Sequence, residues 1–544
     1  MVQNKNKTPK SAMNMFFSGV VVLTIANILV KCVGLILKIV LNTVVGSVGA
    51  GYYSSAYEIY AFLYVIATSG LPVALSIMIS KCRAQGKLKE ARKIFNVAMI
   101  LFFIIGTVFA VLLIAFSQKI ANLISAPETA ISIVAIAPTI LFICLSSCLR
   151  GYFQGYQLMN PTGVSQFIEA LGKAGIGFAC ALWAKAQGYE DHVVAAFTIL
   201  GVTSGVFLGM VFLFIRKIFF KEKTYYDDLG TQEVQKTKYI FKDLTKIAIP
   251  ITLSSCVLSL TVIIDTLMVQ SRLLASGLGE DLVRIYYGDY TTLVISMINL
   301  PTILIYPISN ALVPLITGAI AKNDQNKAHQ MRSFTLRVIN ILSIPCALSL
   351  AILSRNLLEL LMFTESSVNR AAPWLSLGSV AVIFLGLISA TNAFLNTAGK
   401  QKYPIISMVC GAVVKILANY FLVGHIGILG APLSTVLCYL TAATMNIFFT
   451  VKCVGRLPDI KKMFFMPLLC AIISIGSGAG VYLILDNWIP SRLATLVAII
   501  VILIVYLFMI VRSKTVSEDE VKMLPHGNKI RDFLKKMHFF PKKC

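Results

Sequence analysis

Apolar residues run through this chain in long stretches, separated by short polar or charged segments. The stretches are roughly 20 residues or longer, the length an α-helix needs to cross a bilayer core of about 30 Å. Backbone polar groups in lipid must be satisfied internally, so only helices or a closed barrel can span it. Barrel strands alternate in polarity, and these stretches do not. The pattern predicts an all-α polytopic membrane protein with about fourteen transmembrane helices. Their predicted spans are 16–46, 52–80, 94–116, 130–149, 164–184, 193–215, 247–271, 286–320, 332–354, 371–397, 403–423, 427–451, 463–485 and 491–511. Several exceed what a bilayer needs, which predicts tilt or interfacial extension. The run after the basic leader MVQNKNKTPK is too long for a signal-peptide core and lacks a cleavage site. It is therefore expected to persist as the first helix.

The longest polar interruption, 220–246, is a charged linker near the middle of the chain. It divides the sequence into an N-terminal six-helix lobe (1–219) and a C-terminal six-helix lobe (247–452). Two additional helices (463–512) and a basic tail (513–544) follow. The lobes read as a parallel repeat at an offset of about 240 residues. SGLPVALSIMISKCRAQGKLKEARK at the end of span two is echoed by YPISNALVPLITGAIAKNDQNKAHQ at the end of span eight. GYQLMNP, ending at Pro161, is echoed by AGKQKYP, ending at Pro404; Lys173 and Lys415 follow these prolines at similar distances. Order and near-constant offset, rather than any one match, carry the repeat. Two facing bundles are a scaffold for alternating access.

Composition agrees: 57% of residues are hydrophobic and 13% charged, against about 25% charged in soluble domains. Charge placement predicts orientation. With the N-terminus inside, 37 of the 48 Lys and Arg fall in cytoplasmic segments, Arg150 among them. Seven, including Arg284, fall in outside loops, and Lys31, Lys38, Lys173 and Lys415 fall within spans. By the positive-inside rule both termini are cytoplasmic. The net charge of +24 is then mostly this topological signal, with attraction to anionic membrane lipids. No soluble basic domain suggests nucleic-acid binding. The tail GNKIRDFLKKMHFFPKK reads equally as a surface amphipathic helix or a disordered segment. Twelve scattered cysteines lack metal spacing and read as packing residues.

A charge at the bilayer centre costs about 2.5–3.5 kcal/mol on insertion scales, so each marks a functional candidate. Lys31 and Lys38 lie two turns apart near one face of the first helix, where they would suit a phosphate or pyrophosphate; Lys38 could instead snorkel. Glu58 either lines the cavity or sits near the outer interface. Glu169 and Lys173, an i,i+4 pair, either neutralise one another or line the cavity. Asp265 and Lys415 complete the set. No phosphate-binding loop, zinc motif or nucleophile elbow appears, so the chain does not read as an enzyme and implies no cofactor or metal. Gly201, Gly205 and Gly209, spaced by four, predict close helix packing.

The run from Lys31 to Gly86, with KCVGLILKIVLN, VGAGYYSSAYEIY and SGLPVALSIMISK, resembles the polysaccharide-export branch of the multidrug/oligosaccharidyl-lipid/polysaccharide exporter superfamily. It has the look of the stage V sporulation protein B-like and MurJ-type lipid II flippases of Gram-positive bacteria. The 6+6+2 plan extends the resemblance along the chain. It implies a transporter of undecaprenyl-pyrophosphate-linked saccharides from the inner to the outer leaflet, with a cationic cavity for the pyrophosphate. Membrane lipids and cell-wall synthesis enzymes are the partners it suggests. Basic residues of the first helix are essential in the family. Lys31 falls on the first such position, and Lys38 stands one residue from the second. Some relatives bind sodium through an Asp in helix seven, an Asn and an Asp in helix eleven and a Thr in helix twelve. The corresponding positions are Asp265, Lys415, Asn419 and Thr435, so that a Lys–Asn pair replaces the central Asn–Asp. The resemblance then implies that the Lys415 ammonium stands where sodium would, paired with Asp265.

The expected function is a lipid II flippase in the cell membrane, working by alternating access around Lys31, Lys38 and Glu58. A flippase for another lipid-linked polysaccharide unit is one alternative. A cation-coupled drug exporter of the same superfamily is another, though such exporters usually have twelve spans. A membrane glycan polymerase would need a large external loop, and the predicted outside loops are short.

Overall fold

The computed structural model describes residues 43–156, 158–220, 235–306, 325–361, 363–455 and 461–513, together with residues 29, 30, 33, 34, 37, 309 and 316. Every regular element among them is helical. The described chain forms two compact units, one of Met1–Thr292 with Asn419–Ile428, the other of Leu293–Ala418 with Leu429–Cys544.

The first unit contains α1 (Gly46–Ala84), α2 (Leu88–Ala115), α3 (Ala130–Gly155), α4 (Asn160–Ala186), α5 (Asp191–Ile218), α6 (Thr237–Ala275) and α7 (Glu280–Asp289). Helix α2 shows what solvent the sequence expects. Ala91, Ala98 and Phe102 are buried on its inner face, while Ile100, Phe103, Ile104, Val108 and Val111 are exposed on the outer one. A helix apolar on all faces belongs in lipid. Helix α1 packs on α3 and α6, and α4 lies along α5.

The α4–α5 contact follows from the predicted glycine spacing. A Cβ built on Gly201 would lie 2.3 Å from the Gly177 Cα, and one on Gly205 would lie 2.5 Å from the Glu169 carbonyl oxygen. Without side chains the two backbones approach closely, which is how helices associate where lipid removes the hydrophobic drive between them. Gly201→Val is expected to push the helices apart at a cost of about 1–3 kcal/mol, read as a lower melting temperature of the purified protein; an unchanged melting point would refute this packing role.

The second unit contains α8 (Gln325–Ile352), α9 (Glu365–Gly378), α10 (Ala381–Thr397), α11 (Lys402–Ala418), α12 (Gly430–Val454), α13 (Met466–Leu485) and α14 (Ser491–Arg512). Helices α11 and α12 pair, and α13 and α14 pair. The α13–α14 hairpin is fastened to α8 and its end: Ile344 on α8 and Leu353 just beyond it pack with Cys470, Ile475, Ile502 and Tyr506. The Tyr506 hydroxyl donates to the Ile341 carbonyl at 2.8 Å.

Ten described helical stretches are long and apolar enough to cross a membrane, and eleven if α9 and α10, bent by 43° at their junction, form one span. One of the ten, 402–454, covers two predicted spans: it is interrupted by the π-turn Asn419–Val423 and by Gly427, whose φ is +64°. Most of the predicted span 16–46 and the end of 286–320 lie outside the described residues, as do most of the linker and the tail. The predicted span 247–271 falls on α6.

Candidate functional site

The first unit concentrates its buried charge where α3, α4 and α1 meet. Arg150 on α3 donates through Nη2 to Oε2 of Glu169 on α4 at 2.8 Å. Its Nε donates to Ser165 Oγ at 3.1 Å, and that hydroxyl donates to the Thr162 carbonyl. One turn beyond Glu169, the Lys173 ammonium reaches Glu169 Oε1 at 2.8 Å. The side chains of Arg150 and Glu169 are each 6% exposed and that of Lys173 is 17% exposed. The Lys173 Nζ also stands 5.6 Å from the ring centre of Tyr60 and 6.0 Å from that of Tyr64. These tyrosines continue a row on α1, Tyr53–Tyr57–Tyr60–Tyr64, with successive ring centres 5.6, 5.7 and 5.8 Å apart. The spacing of 4, 3 and 4 residues places all four rings on one helical face.

The structure thus bears out the Glu169–Lys173 pair and adds a second cation to it. Arg150 is a correction to the sequence reading. It does not belong to a loop, because α3 continues to Gly155 and carries the residue at 5% exposure. Its partner is nineteen residues away, so no local pattern marks it. The available signal was a lone Arg close to an apolar span whose neighbour in sequence carries an intramembrane Glu.

A second network ties α1, α6 and α7. Arg284 on α7, expected in an outside loop, is 1% exposed. It donates to Gln270 Oε1 at 2.7 Å and to the Ser125 carbonyl at 2.7 Å, with Glu128 at 3.9 Å. Gln270 Nε2 donates to Ser55 Oγ at 3.0 Å, which donates to the Gly51 carbonyl at 2.8 Å. A Cβ at Gly51 would lie 2.5 Å from the Arg284 carbonyl oxygen, so this close approach requires glycine. Such chains place buried donors and acceptors in mutual satisfaction, which rigidifies the helix junction.

Of the predicted site residues, Lys31 and Lys38 lie outside the described residues. Glu58 is on α1, 9% exposed. Asp265, on α6 and 4% exposed, accepts a hydrogen bond from Asn419 Nδ2 at 2.9 Å and another from the Tyr290 hydroxyl at 3.3 Å. These three belong to the first unit. In the second unit, Lys415 at 1% exposure donates to Thr435 Oγ1 at 2.9 Å. The structure therefore joins Asp265 to Asn419 and Lys415 to Thr435. Among the described residues, no group of three or more His, Cys, Asp or Glu side chains could hold a metal ion. Buried guanidinium, ammonium and phenol groups of this kind can hold and shield an anion.

Residues 16–320 match the family described as polysaccharide biosynthesis protein, and residues 250–421 match the MatE family. The chain is 24% identical over 535 residues to stage V sporulation protein B of Bacillus subtilis (strain 168), covering 94% of this chain and 98% of that protein. It is 25% identical over 478 residues to lipid II flippase MurJ of the same organism, covering 84% of this chain and 87% of the relative. A solved structure of lipid II flippase MurJ in an inward closed conformation shares the fold, with TM-score 0.65 at 17% identity, covering 90% of this chain and 98% of that one. Of the two Bacillus relatives, MurJ is the one whose name states an activity, that of a lipid II flippase. The chain is a multi-pass membrane protein of the polysaccharide biosynthesis protein family, in the polysaccharide transporter branch of the multidrug/oligosaccharidyl-lipid/polysaccharide exporter superfamily.

Proposed function

We propose that this protein is a flippase that carries an undecaprenyl-pyrophosphate-linked saccharide, the peptidoglycan precursor lipid II, from the inner to the outer leaflet of the cell membrane. The observation that carries the reading is likeness to the Bacillus lipid II flippase over most of both chains. In this reading the two six-helix lobes alternate access to a cationic cavity. Lys31 takes the pyrophosphate, Lys38 stands beside it, and Glu58 and Asp265 balance charge as the cavity changes face. Both termini are cytoplasmic. Enzymes of cell-wall synthesis supply and consume the substrate.

The energetics accommodate this without an on-chain ATPase. A headgroup with about two negative charges moving outward runs down an inside-negative potential. At about 2.3 kcal/mol per charge per 100 mV this yields about 4–5 kcal/mol, an upper value because bound lysines travel against part of that charge. The protein supplies a path past the desolvation barrier. In this reading Lys415 provides on the chain the cation that sodium provides in some relatives, which leaves transport independent of sodium.

One other reading has its own support. The match to the family described as polysaccharide biosynthesis protein favours a lipid-linked polysaccharide unit other than lipid II as substrate. Proteoliposomes with a fluorescent lipid II and an impermeant quencher decide between the two. Protein-dependent movement of lipid II is expected, at the same rate in sodium and potassium buffers and faster when the compartment the headgroup leaves is negative. Movement of a different undecaprenyl-pyrophosphate glycan, with lipid II static, would establish the alternative. Stimulation by sodium would remove the role given to Lys415.

A further inference from the structure

One carboxylate faces two cations in the first unit. Arg150 and Lys173 occupy the two oxygens of Glu169 separately, Nη2 on Oε2 and Nζ on Oε1, each at 2.8 Å. The three formal charges therefore sum to one positive. The excess is not distributed evenly: Arg150 is 6% exposed and spends a second donor on Ser165, whereas Lys173 is 17% exposed. Among these three, Lys173 is the most exposed. It lies on the face of α4 turned to the tyrosine row, within 5.6 Å of the Tyr60 ring centre.

Tyr60 supplies an independent observation. Its side chain is 1% exposed, yet among the described residues its hydroxyl has no hydrogen-bond partner. A buried orphan hydroxyl is costly unless something completes it. A structural ion pair needs neither the second cation nor this unfilled donor, because Arg150 and Glu169 neutralise one another. A phosphate needs both, since its oxygens accept charge-assisted and neutral hydrogen bonds together.

We propose that Lys173, oriented by Glu169 and flanked by Tyr60, is an anion site within the first unit that takes a phosphate of a lipid headgroup. Under the proposed function, on which this site's role in transport rests, that phosphate belongs to the pyrophosphate of the transported lipid. The same chemistry could come from a bulk anionic phospholipid. The site lies on α4, a different helix from the predicted first span that carries Lys31 and Lys38 in the sequence. It gives the headgroup a second point of attachment.

The test uses the full-length protein in phosphatidylcholine nanodiscs, with farnesyl pyrophosphate as the probe and farnesol as the uncharged control. Lys173→Met keeps the Arg150–Glu169 pair and is expected to weaken probe binding tenfold or more, with farnesol unaffected. Lys173→Arg is expected to stay within threefold of wild type, and Tyr60→Phe to weaken binding two- to fivefold. In the wild-type protein, acylation of Lys173 by an amine reagent, located by mass spectrometry, is expected to slow when the probe is present. Protection by phosphatidylglycerol alone would support the anion site and assign it to bulk lipid. Unchanged probe binding by Lys173→Met, or acylation of wild-type Lys173 unaffected by either lipid, would overturn the site while leaving the flippase reading standing. Failure of the wild-type protein to bind the pyrophosphate probe at all would overturn both.

Discussion

Glu169→Leu is expected to lower the stability of the protein by about 3–5 kcal/mol, because it removes the shared partner of two cations and leaves them facing one another. The effect exceeds that of removing Lys173, since Lys173→Met leaves the 2.8 Å Arg150–Glu169 contact intact. Part of the loss is recoverable. In the triple variant Arg150→Met, Glu169→Leu, Lys173→Met, no uncompensated charge stays buried, and well-packed apolar replacements of ion clusters are often neutral. The triple variant is therefore expected to melt nearer to wild type than Glu169→Leu does. This non-additivity is the signature of residues acting as one network. Thermal melting of the four purified proteins checks it. Equal melting points for wild type and Glu169→Leu would show that the triad contributes nothing to holding α3 against α4.

The second large effect falls on transport. Lys31→Ala is expected to reduce lipid II movement in proteoliposomes thirtyfold or more, without lowering the amount of folded protein. A desolvated charge pair that loses one partner costs about 2–5 kcal/mol of binding, and about 1.4 kcal/mol is a factor of ten. Lys31→Arg keeps the charge and is expected to retain most of the rate. Equal losses in both variants would point to packing in the first helix rather than to anion binding.

Fold class was legible in the sequence because lipid imposes a blunt rule: long apolar stretches must be helices, and the outward faces of α2 and α14 stay apolar. Close packing at Gly201 and Gly205 was legible too, since small residues at fixed spacing have few other uses in a membrane helix. Individual sites were legible only where they are local. Glu169 and Lys173, four apart, could be paired from sequence, whereas Arg150 could not, because its partner is on the next helix. Arg284 was hidden for a related reason. Hydropathy ends a span at the first charge, but a guanidinium satisfied by Gln270 and the Ser125 carbonyl can stay inside. Asp265 and Asn419 are 154 residues apart; the family resemblance grouped them, and nothing in local spacing would have.

The most direct measurement is growth of a bacterium depleted of its own lipid II flippase and supplied with this protein, wild type or Lys31→Ala, at matched membrane expression. Rescue by wild type and none by Lys31→Ala is the expected result. A well-expressed, membrane-inserted wild-type protein that fails to restore growth would contradict lipid II as the substrate.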